Sequence, residues 1–216
     1  MSPRITLTFD NGPHEQVTPD VLETLARHNV RSTFFVLGKY LDHPAAWRLL
    51  DLATQAGHWI GNHTWSHAVP LGLQNDAQVP EMEIGRTQSK LEPWAHPDRL
   101  FRPFGGGGRL GTHLLSAAAR DYLVAHRYTC VLWNAIPRDW SDPEGWVETA
   151  VLQCRAQPWS LMVLHDYDTG AMKHLDRFIC QVRDEGFEFH QDFPPDCVPL
   201  RCGQAQPALD DCVNAT

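Results

Sequence analysis

The chain has 216 residues, 43% of them hydrophobic, which is enough apolar material for one sizeable core and too little for two enzyme domains. Eighteen basic side chains against 26 acidic ones leave a formal net charge of −8 with no basic run, which argues against nucleic acid and anionic membrane as partners. No stretch reaches the ~18 to 20 consecutive apolar residues of a membrane span.

The opening Met-Ser-Pro-Arg runs straight into apolar residues, without the charged start, long apolar stretch and small-residue cleavage site of a signal peptide, so a cytoplasmic protein is expected. The first predicted strand, 5–9, ends in Asp10 and Asn11, with Gly12 and Pro13 expected to force a tight turn. Thr18 as cap and Pro19 in the first turn open a helix. A second strand covers 32–37, Pro44 opens a helix that Gly57 stops, and a third strand at 58–61 leads to His63 and His67. The fourth, 100–102, ends in Arg102 and is followed by four glycines at 105–108; Gly111 then leads into an Ala-rich helix. A fifth strand at 128–132 precedes Asp139, Asp142 and Pro143 open the next helix, and a sixth at 161–164 ends in His165 and Asp166. The seventh is 187–189.

Strand and helix alternate, which predicts parallel strands joined by right-handed crossovers in a single α/β domain. Period and spacing leave a barrel and a doubly wound sheet both open. The expected domain is 1–192, followed by a Pro- and Cys-containing tail at 193–216. Of the six cysteines, none in a C-x-x-C pair, Cys130, Cys154 and Cys180 read as core residues, and Cys197, Cys202 and Cys212 as free thiols of the tail, with a local disulfide or a metal clip as the alternatives.

Reactive groups follow five strand ends, where folds of this class place their sites. His63 and His67, four apart, reach one ion if the segment turns like a helix; the alternative is two unrelated surface histidines in a chain that holds 12. Asp10 can serve as a base and Asn11 can offer a carbonyl oxygen to a metal, although an Asx turn leaving a strand has the same letters. Glycines 105–108 let backbone N–H groups approach an oxyanion, and the lysine and serine of a phosphate-binding loop are missing after them. Asp139 is placed to fix the tautomer of His165 and favour its protonated form, the arrangement of a general acid; a lone histidine that merely satisfies its hydrogen bonds is the competing account.

Taken in order, TFDNGP, HTWSH, RPFGG, DW and LHD, from Thr8 to Asp166, resemble the five motifs of the polysaccharide deacetylase family, carbohydrate esterase family four, also called the nodulation-protein homology domain. The resemblance implies a distorted (β/α)7 barrel with parallel strands and outer helices. It further implies a divalent metal, Zn2+ favoured, bound by Asn11, His63 and His67, with Asp10 as base, Arg102 orienting it, and His165 as acid supported by Asp139. Phe104, Gly105, Trp140 and Val163 fall on substrate-binding positions. The implied reaction is removal of an acetyl group from an N-acetylated carbohydrate such as a chitooligosaccharide. Two positions depart from the family pattern: Asn11 stands where aspartate is usual, and Phe104 where the third motif has tyrosine. Asn11 favours a second account, hydrolysis of another linear or cyclic amide without a metal; a silent carbohydrate-binding protein is a third.

Overall fold

The computed structural model describes Ser2 to Ala215, so the first and last residues of the expected domain and tail lie outside the described residues. In chain order the elements are β1 (Arg4–Asp10), α1 (Val17–Arg27), β2 (Thr33–Val36), α2 (Pro44–Gln55), β3 (Trp59–Asn62), α3 (Arg86–Leu91), β4 (Leu100–Phe101), β5 (Leu115–Ser116), α4 (Ala117–Ala125), β6 (Thr129–Cys130), α5 (Trp146–Arg155), β7 (Trp159–His165), α6 (Leu175–Asp184), β8 (Glu188–His190), β9 (Leu200–Arg201), β10 (Gln204–Ala205) and β11 (Val213–Asn214). All seven strands expected from apolar runs are present, as β1 to β4 and β6 to β8. Two compact units form: one from the start of the chain to Phe34, with His43–Trp59 and Trp133–Pro194, the other from Phe35–Asp42, Ile60–Leu132 and the residues from Pro195 onward.

In the first unit β1 pairs with β7 in parallel along its whole length, from Arg4 opposite Trp159 to Asp10 opposite His165, and its start also pairs with β8. Ile5, Leu7 and Phe9 are fully buried, and so are Thr6 and Thr8 between them, as befits a strand covered on both faces. The threonine hydroxyls are satisfied by donating to the Asp192 and Met162 carbonyls. Helix α2 starts with Pro44 and ends before Gly57, whose φ of +83° supplies the left-handed residue that closes a helix. Helix α6 buries Leu175, Phe178, Ile179 and Val182 at helical spacing, against Trp146 of α5 among others. That phase puts Cys180 on the outer face, where it is exposed, contrary to its reading as a core residue; Cys130 and Cys154 are buried as expected.

In the second unit β3, β4 and β6 are parallel neighbours, and β9 and β10 add antiparallel strands beyond β6. A separate two-stranded piece joins β5 to β11. The expected tail is therefore woven into this unit: Cys197, Val198, Leu200, Leu209, Cys212 and Val213 are buried, and Cys197 accepts a hydrogen bond from the Leu132 N–H at 2.8 Å. Short strands with little alternation hid this segment in the sequence. Its cysteines are free thiols. Among the described residues no helix is long and apolar enough to cross a membrane.

Candidate active site

β1 delivers Asp10 and Asn11 at its carboxyl end. Asn11, rather than Gly12, takes the left-handed conformation, with φ 76°. Gly12 is required for space instead, because a Cβ there would lie 2.2 Å from the Asp166 carboxylate. Asp166 follows β7, is 1% exposed, and binds this turn: its backbone N–H points to the Asp10 carbonyl at 3.4 Å, and its Oδ2 accepts from the Thr18 hydroxyl at 2.6 Å. Thr18 in turn accepts the His14 N–H at 2.8 Å. Its hydroxyl is thus spent on the turn and on Asp166, while α1 starts from Gln16 without a side-chain cap, so the expected capping role of Thr18 is corrected. Burial, with the field of Asp10, lifts the Asp166 carboxyl to about 7 despite the Thr18 hydrogen bond.

Opposite Asp10, β7 ends in His165, which is 9% exposed. Asp139, fully buried, grips it twice: Oδ1 lies 2.8 Å from the His165 Nδ1 and Oδ2 accepts the His165 backbone N–H at 2.9 Å. This fixes the ring with its Nδ1 proton toward Asp139 and leaves Nε2 as the atom that gains or loses a proton. Burial pushes the imidazole pKa down, but the charge of Asp139, its hydrogen bond, and the fields of Asp10 and Asp166 outweigh it, and the pKa stands above the ordinary histidine value. Trp140 meets the His165 ring edge-on at 4.8 Å, and Val163, two residues earlier on β7, shares the face of His165 by strand alternation. The first unit thus brings together Asp10, Asp139, Trp140, Val163 and His165.

In the second unit β3 leads into His63, whose Nδ1 donates to the Arg102 carbonyl at 2.8 Å, the tautomer that puts the lone pair on Nε2. His67 has its ring centroid 5.1 Å from that of His63 and stacks on Phe104 at 3.7 Å. The segment between them is no helical turn. Thr64 and His67 both have positive φ, 71° and 55°, and the loop is held from outside. Glu83, on a π-helical turn at Glu81–Gly85, accepts the Trp65 and Ser66 N–H groups at 3.0 and 2.9 Å with one oxygen and the Ser66 hydroxyl at 2.7 Å with the other. Asn62, fully buried, accepts the Thr64 N–H and donates to the Ile84 carbonyl. Neither Glu83 nor Asn62 stood out in the sequence; a carboxylate 16 residues past His67 has no local signal.

Arg102 is fully buried, donates to the Val131 and Leu132 carbonyls at 3.2 Å each, and lies 4.1 Å over the Phe35 ring. Glycines 105–108 all take positive φ. At Gly105, φ +137°, a Cβ would come within 2.9 Å of Pro70 and 3.0 Å of His113, so the loop packs tightly there.

Each unit, taken by itself, carries donors that suit a divalent cation. Two imidazoles, one with its tautomer set by a backbone carbonyl, are ordinary zinc ligands. In the first unit the buried Asn11 Oδ1 has no hydrogen-bond partner, and a carbonyl oxygen of this kind can serve as a cation ligand. In the first unit His28, Asp176 and Cys180 gather within 4.8 Å, but Arg27 already pairs with Asp176 at 3.0 Å and Arg183 stands 3.5 Å from His28, which makes an ion-pair network.

The family model for polysaccharide deacetylase matches residues 2–125. A chitooligosaccharide deacetylase of Sinorhizobium fredii is 32% identical over 201 residues, 86% of this chain and 88% of that one. The peptidoglycan-N-acetylglucosamine deacetylase PgdA of Listeria monocytogenes is 29% identical over 189 residues, 86% of this chain, and the chain spans only 37% of its length. The solved family 4 carbohydrate esterase from Streptomyces lividans, in complex with acetate, matches with a TM-score of 0.73 at 25% identity, over 91% of this chain and 96% of that one. This likeness gives the fold class as the distorted (β/α)7 barrel with parallel strands and outer helices. On the match of the family model and of these relatives, the chain belongs to the polysaccharide deacetylase family.

Proposed function

We propose that the chain hydrolyses the acetamide of an N-acetylated carbohydrate of chitooligosaccharide type. The observation that carries this reading is the register of β1 on β7, which sets Asp10 opposite an Asp139-held His165. Asp10 takes a proton from the attacking water as its oxygen bonds to the carbonyl carbon. When the C–N bond breaks, the Nε2 proton of His165 passes to the departing amine, and acetate is released. Asp139 keeps that proton available by holding the imidazole in its charged form. A divalent cation, Zn2+ favoured, held by His63, His67 and the Asn11 carbonyl oxygen, would polarise the carbonyl and acidify the water. The resemblance assigns Arg102 to orienting the base, the Gly105 N–H to the developing oxyanion, and Phe104, Trp140 and Val163 to apolar surfaces for sugar and acetyl methyl. The relatives named for chitooligosaccharide and peptidoglycan deacetylation support the substrate class.

Acetate release from chitooligosaccharide tests this. Asp10→Asn and His165→Ala are each expected to lower turnover by about 10²-fold or more with the fold retained by circular dichroism. Undiminished release in both variants defeats the proposal. Full activity after exhaustive chelation points instead to the metal-free amide hydrolase that Asn11 favours.

A further inference from the structure

Glu83 lies outside every motif that carries the family resemblance, yet it holds the backbone on which His63 and His67 ride. Thr64 is β-branched and His67 bulky, and both sit at positive φ, a strained conformation that persists only where the surroundings impose it. Because these residues lie within the span from His63 to His67, relaxation of either would swing one imidazole away from the other. The loop's backbone groups account for what prevents this. The Thr64 and Trp65 carbonyls accept from the Gly38 and Lys39 N–H groups, and the Thr64 N–H goes to Asn62. The N–H groups of Trp65 and Ser66 and the Ser66 hydroxyl converge on the one carboxylate of Glu83. Charge-assisted bonds of this kind are the stronger ones. Glu83 is itself anchored, since its carbonyl accepts from the Thr87 hydroxyl at 2.9 Å and Asn62 ties the next residue, Ile84, back to β3. The Trp65 ring is roofed by the Arg86 guanidinium at 3.4 Å.

We infer that Glu83 is a positioning residue for a two-histidine metal site: three hydrogen bonds accepted by its carboxylate hold the 64–67 loop in the conformation that sets the separation of the two imidazoles, and thereby the affinity for the ion. This rests on the metal reading given above and adds the group that presets its geometry. Removing a partner that orients metal ligands weakens affinity by roughly 10- to 100-fold.

Calorimetric titration of the chelator-stripped full chain with Zn2+ tests it, alongside thermal melts. Expected are a single site in the wild type that His63→Ala abolishes, a loss of roughly 10- to 100-fold in Glu83→Ala, and recovery to within a few-fold in Glu83→Gln, whose amide oxygen still accepts both N–H groups. If Glu83→Ala is too unstable to titrate, Glu83→Asp, which keeps the charge but withdraws the oxygens by one methylene, replaces it with the same expectation. Wild-type affinity in Glu83→Ala, or in Glu83→Asp where that stands in, overturns the inference while leaving the metal site intact. Identical titrations of wild type and His63→Ala would overturn the metal reading and the inference with it.

Discussion

His165 is pulled in two directions by its surroundings. Burial disfavours the imidazolium, whereas Asp139 at 2.8 Å, with Asp10 and Asp166 near, favours it and prevails. The folded-state pKa is raised, so the protonated form persists to higher pH than in the unfolded chain. Its contribution to stability is complete below the ordinary histidine range and is lost as pH rises through the raised value. An acid that must carry a proton should give an activity whose alkaline limb falls at that same raised pKa. Asp139→Asn removes the attracting charge and turns an amide N–H toward Nδ1, which opposes the productive tautomer. Turnover is expected to fall by roughly 10²- to 10⁴-fold and the limb to move toward acid. A pH–rate profile, with the His165 ring followed by NMR, decides. An unmoved limb would separate the two residues functionally.

At the scale of elements, the turn after β1 is tied to α1 and to the end of β7 through Thr18 and Asp166. The Asp166 carboxyl titrates near 7 in the fold and near 3.8 when unfolded, so between those values the native state holds the extra proton and stability falls as pH rises. Thr18→Val removes the donor that opposes this rise, and a hydrogen bond with it. A loss of about 1–3 kcal/mol in urea unfolding is expected, larger at pH 8, where Asp166 is ionised, than at pH 5. A pH-independent loss would mean that Thr18 serves only the turn, through the His14 N–H. The sequence made the strands legible because β1 and β7 are dense in apolar and β-branched residues, and it made Asp10, Asp139 and His165 legible because strand ends are where reactive groups collect. Thr18 was misread because a Thr-Pro pair at a helix start has the same letters whether its hydroxyl caps the helix or reaches a carboxylate 148 positions away. Glu83 was invisible for the same reason: its partners are close in space and not in sequence. The His63–His67 spacing suggested a helical turn, which a loop with two positive-φ residues replaces.

At the scale of the whole molecule, the residues from Pro195 onward belong to the packing of the second unit. β9 covers the edge of β6, with Leu200 opposite Cys130, and β11 covers β5. Leu200, Leu209 and Val213 are nearly or fully buried, and so are Cys197, Val198 and Cys212. At roughly 1.5–3 kcal/mol for each large apolar side chain removed from water, their joint burial is on the order of 10 kcal/mol. That is comparable to the entire net stability of an ordinary domain, roughly 5–15 kcal/mol. A chain ending at Pro194 would also leave the Leu132 N–H without its Cys197 acceptor and open the β6 edge to association. Such a truncation is expected to be insoluble or to lose its cooperative melt. Leu200→Ala, which keeps every strand, should lower stability by about 2–5 kcal/mol. Thermal melts of both against the full chain distinguish an integral segment from an appendage, since an appendage could be cut away with the melting temperature unchanged and Leu200→Ala would then have nothing to destabilise.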